Sequence, residues 1–373
     1  MARPISKGVL SEYVQHPNRR PPQSACLQRQ RDDRRVLILR QQGAVPADRA
    51  EALARAAVDA AELGRLGEAE AVARQGLDVA LSIVAGTDRD RAVALACQTL
   101  GAILRTLGRY DEAEAQFGLA LDAAERGFGR ESHEVVGVLN DIGMTGKFVG
   151  RFAMAESAYL RARQIAERQP DHDPEDFAAL LHNLAGVAHA RGDFAAAEPL
   201  ARRGIEIRIA AVGPDDAATL LDRSAYASIL DGLGRSGEAS VILRDILPDL
   251  TERLGPDHLD VAVALNNLAA IVQRSGDLVA AEVLYRRVLD IKTASVGDGS
   301  PTLAVALNNL ATSVRAQNRA NEAMDLYERA IRVLSGSVED DHPNLVAIRR
   351  NLAALQVGPS IRDPRRAPAS VTR

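Results

Sequence analysis

The sequence predicts an all-α fold: a solenoid of antiparallel helical hairpins, one unit copied end to end. Three observations carry that prediction. The octapeptide Ala-Val-Ala-Leu-Asn-Asn-Leu-Ala at 262–269 returns unchanged at 304–311, 42 residues on. A period of 20–50 residues is the signature of stacked supersecondary units. Next, a turn residue recurs at Gly64, Gly108, Gly150, Gly192, Gly234, Gly276 and Asn318, the first interval 44 residues and the others 42. A tight link between antiparallel helices needs a residue that tolerates positive φ, and glycine and asparagine do. Finally, the 373 residues are 46% hydrophobic but only 3% aromatic, with no Trp. Such an Ala- and Leu-rich mixture favours close helix packing, whereas sheets draw on aromatic and β-branched residues.

The elements follow in order. Residues 1–45 include Pro4, Pro17, Pro21 and Pro22, show no sustained period, and carry nine Lys/Arg against three Asp/Glu. They read as a basic, mostly disordered segment with one helix-compatible stretch at 32–42. From 46 to 339 the pattern predicts seven hairpins, each a helix A, a tight turn, a helix B and a loop. Alanine stands five positions after every turn residue: Ala69, Ala113, Ala155, Ala197, Ala239, Ala281 and Ala323. Seven positions before it stands another small residue: Ala57, Gly101, Gly143, Ala185, Ala227, Ala269 and Ala311. Small side chains on facing helices let the backbones approach, and a bulkier one there costs roughly 1–3 kcal/mol. Larger apolar columns surround them, one of Leu100, Ile142, Leu184, Tyr226, Leu268, Leu310 and Leu352, another of Phe117, Tyr159, Leu243, Tyr285 and Tyr327. Within each helix the apolar residues fall at i, i+3, i+4 and i+7, the buried stripe of an amphipathic helix.

Between hairpins, Gly213-Pro214-Asp215, Gly255-Pro256-Asp257-His258 and Gly297-Asp298-Gly299-Ser300-Pro301 read as a helix stop followed by a start. Glycine closes the outgoing helix, Asp or Ser caps the next, and proline fits its first turn. Residues 344–356 repeat only the A half and are expected to cap the open end, since Arg349 and Arg350 stand where Leu307 and Asn308 do. The tail 357–373, with three prolines, reads as a disordered basic segment.

Charge narrows the function classes. The formal net charge is −4, but 1–45 carries +6 and 358–373 carries +3, which leaves −13 on the body between. An acidic body with basic ends suits nucleic acid poorly. Cys26 and Cys97 cannot build a disulfide framework, and Cys97, in an apolar run, reads as a small buried hydrophobe of a reducing compartment. No stretch approaches the roughly 18 continuous apolar residues of a membrane helix, and the N-terminus lacks the apolar core of a secretory signal. A cytoplasmic protein is the expectation.

The small-residue and aromatic spacing resembles the tetratricopeptide repeat. The 42-residue period, the Leu-Asn-Asn-Leu-Ala core, Gly276-Asp277 with Ala280-Ala281-Glu282, and Gly255-Pro256-Asp257-His258 look like the long variant found in kinesin light chains. The resemblance covers about 46–356. It implies a right-handed superhelix whose helices A line a concave groove for peptides or partner proteins. No heptads such as the light chains use to join a motor occur in 1–45, and with only Lys7, Lys147 and Lys292 in the chain no lysine-rich carboxylate clamp is visible. Arg223-Ser224-Ala225-Tyr226 interrupts the pattern where Leu-Asn-Asn-Leu would stand.

Two columns of helix A are candidate groove contacts. Stacking puts Thr99, Asp141, Asn183, Asn267, Asn309 and Asn351 in a row with steps of roughly 10 Å. An amide offers both a donor and an acceptor, which suits an extended peptide backbone; the same amides could instead bond between repeats and hold the stack. Neighbouring Asn140, Asn266 and Asn308 point about 100° away and suit a structural role. The second column, three residues before each turn, is Arg105, Lys147, His189, Gln273 and Arg315, interrupted by Asp231. It is either a locally positive strip favouring peptides with Asp or Glu, or a set of solvated helix ends where cations meet the helix dipole.

Catalytic and cofactor signals are weak. His182 and His189 share a helix face, but seven residues place them about 10 Å apart, too far for one metal ion. There is no Gly-x-Ser-x-Gly, no phosphate-binding glycine-rich loop and no His-Glu-x-x-His. Glu70, Glu114, Glu156, Glu198 and Glu282 recur once per hairpin, as structural or solvated acids do. The resulting expectation is a non-catalytic scaffold or adaptor that needs no cofactor and holds a protein or peptide in its groove. The alternatives are a self-assembling solenoid and, with weaker support, a nucleic-acid binder working through its Arg-rich tails, which offer only Tyr13 for base stacking.

Overall fold

A computed structural model of the chain describes residues 45–169, 172–335 and 343–356. Its helices are α1 (Pro46–Glu62), α2 (Leu66–Leu81), α3 (Thr87–Thr106), α4 (Tyr110–Gly127), α5 (His133–Phe148), α6 (Phe152–Arg168), α7 (Pro174–Ala190), α8 (Phe194–Val212) and α9 (Ala217–Gly232). They continue as α10 (Ser236–Leu254), α11 (Leu259–Arg274), α12 (Leu278–Val296), a 3-10 turn (Pro301–Leu303), α13 (Ala304–Ala316), α14 (Ala320–Leu334) and α15 (Pro343–Gln356). No β-strand occurs among the described residues. Odd-numbered helices are the first of each hairpin and even-numbered ones the second. The expectations for 1–44 and for 357–373 lie outside the described residues.

The chain divides into two compact units, the first ending at Arg235 and the second starting at Ser236. The first holds α1–α9 and the second α10–α15, so the division falls at the turn of the fifth hairpin. Within the first unit α1, α3, α5 and α7 each pack on their own second helix, and each also touches the first helix of the next hairpin. The second helices α4 and α6 are joined by the Arg161–Glu125 ion pair at 2.6 Å.

Each turn is built the same way. Gly64, Gly108, Gly150, Gly192, Gly234 and Gly276 have φ between 72° and 93°, and Asn318, at 62°, is the sole non-glycine with positive φ among the described residues. The amide of the turn residue donates to a carbonyl three residues back, as from Gly108 to Arg105 (3.0 Å). The next amide donates five back, as from Arg109 to Leu104 (2.9 Å). This pair of bonds satisfies the carbonyls a helix end would otherwise leave orphaned.

The predicted small-residue contacts are the hairpin cores. All seven alanines after the turns are 0% exposed. Opposite them within the units Ala57, Ala269 and Ala311 are 0% exposed and Ala185 2%; Ala227 is 0% exposed as well. Gly101 and Gly143 fill the same place beneath aromatic rings. A Cβ added at Gly143 would stand 2.5 Å from Tyr159 Cζ, and one at Gly101 2.8 Å from Phe117 Cε1.

The loops differ from expectation in register. Asp216, not Asp215, caps α9, and His258, not Asp257, caps α11, its Nδ1 accepting from the Asp260 amide at 3.2 Å. Gly213 and Gly255 have φ of 96° and 95°, and the Pro-Asp steps after them complete the loops before the helices start. Proline does open α1 and α7, and Ser300-Pro301 opens the 3-10 turn.

The once-per-hairpin glutamates form a ladder of ion pairs to the next turn. Glu70 meets Arg109 at 2.7 Å, Glu156 meets Arg191 at 2.5 Å, Glu282 meets Arg319 at 2.7 Å, and Glu114 meets Arg151. Where aspartate follows the turn glycine it caps the second helix instead: Asp193 Oδ1 accepts from the Ala196 amide and Asp277 Oδ1 from that of Ala280. Exposed pairs of this kind contribute about 0–1 kcal/mol each.

Candidate functional site

The candidate face is the stripe that the first helices leave uncovered by their second helices. Its amide column is zipped across hairpins. Asn183 Nδ2 donates to Asn140 Oδ1 (3.0 Å), Asn309 to Asn266 (3.0 Å) and Asn351 to Asn308 (2.9 Å). Asp141 occupies the same place in α5, where Oδ2 accepts from Gln98 Nε2 (2.8 Å) and Oδ1 from Arg105 (2.9 Å). Each member thus bonds 43 residues back, joining its own column to the neighbouring one. All four of these ladder residues are half-buried; Asn267 is half-buried too, while Thr99 is buried.

The second column is not a uniform positive strip. Arg105 is 2% exposed, paired with Asp141 and lying over the Phe117 ring (5.5 Å to its centre), so it belongs to the core between α3 and α5. Lys147 leaves α5 and leans over α7, its Nζ 2.7 Å from where a Cβ would stand at Gly186. Burial holds the Lys147 pKa below the usual lysine range. Burial also lowers that of His189, and the nearby Lys147 charge lowers it further. The His189 ring meets the Phe194 ring edge-on at 5.3 Å. In the second unit Gln273 and Arg315 are half-buried at the equivalent place, and Gln273 Oε1 is buried without a hydrogen-bond partner among the described residues.

Two features escaped the reading of columns. Asp222 of α9 is 8% exposed and accepts from Arg208 Nε of α8 at 2.7 Å, while His182 Nδ1 of α7 lies 2.7 Å from its other oxygen. Burial opposes the Asp222 charge, but His182 and Arg208 outweigh it and hold the pKa below the usual carboxylate range. Gly186 is the other. Aligning the repeats would have flagged both: Asp222 stands in a column of Ala96, Val138, Leu180, Ala264 and Ala306, and Gly186 in one of Ala102, Met144, Ser228, Ala270 and Thr312. His182 and His189 are thereby engaged with different partners. Among the described residues no group of three or more His, Cys, Asp or Glu side chains could hold a metal ion, and no helix is long and apolar enough to cross a membrane.

The family model "Tetratricopeptide repeat" matches residues 90–168, 176–252 and 260–336, more than half of the chain. The chain belongs to the tetratricopeptide repeat family. Among solved structures, a Rap protein complexed with competence and sporulation factor aligns over 83% of this chain and 88% of its own, at 14% identity and a TM-score of 0.59. The apo form of RapI aligns over 81% and 85%, at 12% identity and a TM-score of 0.56. A Podosopora anserina kinesin light chain of nearly identical TPR-like repeats covers 49% of this chain and 86% of its own, at 20% identity and a TM-score of 0.43. No curated protein matches the sequence. The Rap likenesses establish the helical-repeat fold, and the repeat family establishes a scaffold of the kind that generally binds protein partners.

Proposed function

We propose that this tetratricopeptide repeat protein is a non-catalytic adaptor, and that its first-helix face holds an extended segment of a partner protein that contains acidic residues. The observation that carries the reading is an apolar and hydrogen-bonding surface that packing leaves open. Val263 of α11 and Val305 of α13 are 49% and 44% exposed, each one helical turn before Asn267 and Asn309 on the same face. Alternating apolar contact and amide hydrogen bonds match what an extended backbone offers. In the second unit Arg315 favours acidic residues in the segment; Thr99 and Arg105, being buried, have no part in this version of the face.

The test is selection of extended peptides from a random displayed library against the full chain, followed by affinity measurement. Val263→Glu with Val305→Glu changes exposed side chains and should leave the melting temperature within a few degrees while weakening selected peptides at least about tenfold. Peptides that bind both proteins equally would overturn the reading.

A further inference from the structure

We propose that Lys147, Gly186 and His189 form an oxyanion site on the first-helix face of the first unit, and that it takes the carboxylate of an acidic side chain. The proposal rests on the adaptor reading above for its ligand, though not for its geometry. The buried arginines Arg105 and Arg208 of the first unit are already neutralised. Arg105, one hairpin earlier in the same column, has Asp141 at 2.9 Å, and Arg208 has Asp222 at 2.7 Å. Lys147 differs, because no carboxylate or hydrogen-bond acceptor meets its ammonium among the described residues. A desolvated charge without a counter-ion is unfavourable unless something supplies one.

The backbone makes room for that arrangement. Gly186 lies mid-helix in α7, where glycine is disfavoured relative to alanine, and the other members of its column all carry a side chain. With no Cβ at Gly186, the lysine stem crosses from α5 and its Nζ rests 2.7 Å from the vacant Cβ position. His189 follows three residues later on the same side of α7, close enough for Lys147 to act on its charge. A carboxylate placed there neutralises the ammonium and accepts a hydrogen bond from the imidazole, so one ligand group relieves both.

The full chain, with its histidine rings isotope-labelled, is titrated with acetyl-hexaglutamyl amide, with its glutamine counterpart and with inorganic phosphate. The expected result is that the glutamate peptide binds, moves the His189 ring signals, and loses at least about tenfold in affinity in Lys147→Gln. Gly186→Ala should lose affinity comparably while melting no lower than wild type, which separates displacement of the ammonium from unfolding. Binding unaffected by both substitutions, or wild-type His189 signals that neither anion moves, would overturn the site. If phosphate moves His189 only when Lys147 is present and the glutamate peptide does not bind, the oxyanion site stands and the acidic-peptide reading fails. If the peptide binds equally to Lys147→Gln, the adaptor reading survives and the site is refuted.

Discussion

Asn183 donates to Asn140 across 43 residues of sequence, and the bond joins two first helices that belong to successive hairpins. The column read as a ligand ladder is therefore also a seam of the stack. Asn183→Ala should cost about 1 kcal/mol in urea denaturation, because it leaves the half-buried Asn140 oxygen without its donor. The Asn140→Ala, Asn183→Ala pair should cost less than the sum of the single changes by about 0.5 kcal/mol or more. Additive costs would mean that the bond contributes nothing to the fold.

Asp222 should be the most sensitive polar position in the first unit. Asp222→Ala leaves Arg208 buried without its anion, a loss of about 3–5 kcal/mol, whereas Asp222→Leu with Arg208→Leu restores an apolar junction and should cost far less. The pH dependence follows from the depressed Asp222 pKa. A carboxylate whose folded pKa lies below its unfolded one adds stability that is full above the unfolded value, about 3.9, and is lost as pH falls through the folded value. The gap in melting temperature between wild type and Asp222→Asn should therefore narrow as the pH falls below about 4. A gap that stays constant to pH 3 would contradict this.

Tyr159 and Tyr327 occupy equivalent places in their second helices and differ in what their hydroxyls find. Tyr327 meets Thr312 Oγ1 at 3.0 Å, while the buried Tyr159 hydroxyl has no hydrogen-bond partner among the described residues. Tyr327→Phe should cost about 1 kcal/mol, and Tyr159→Phe should be neutral or stabilising. Equal losses in chemical denaturation would refute the contrast.

Asn318 holds φ at 62° in the turn between α13 and α14, where every other hairpin has glycine. Asn318→Gly should be tolerated within about 0.5 kcal/mol, and Asn318→Ala should cost about 1–2 kcal/mol, since a Cβ without a local hydrogen bond pays fully for left-handed backbone. Thermal melts of the two variants test the ordering.

Much of the fold was legible because each repeated residue answers a local demand. The positive φ of the turn glycines and the closeness of the alanine contacts are set within a single hairpin. Cap register was less legible. Asp215 and Asp216 are chemically alike, and only the path of the loop after Gly213 decides which one meets the amides of α9. The candidate face was legible as columns and not as contacts, since a column states which residues align but not which of them bond to each other.

By itself the sequence determined the hairpin, its period and its stacking, because turn chemistry and small-residue packing act over a few residues and recur in register. Tertiary structure alone decided that Arg105 is neutralised in the core while Lys147, one repeat on in the same column, has no counter-ion among the described residues. The physical reason is that a charge takes its character from neighbours on adjacent helices. Asp141 lies 36 residues from Arg105 and Gly186 lies 39 from Lys147, distances along the chain that only packing turns into contact.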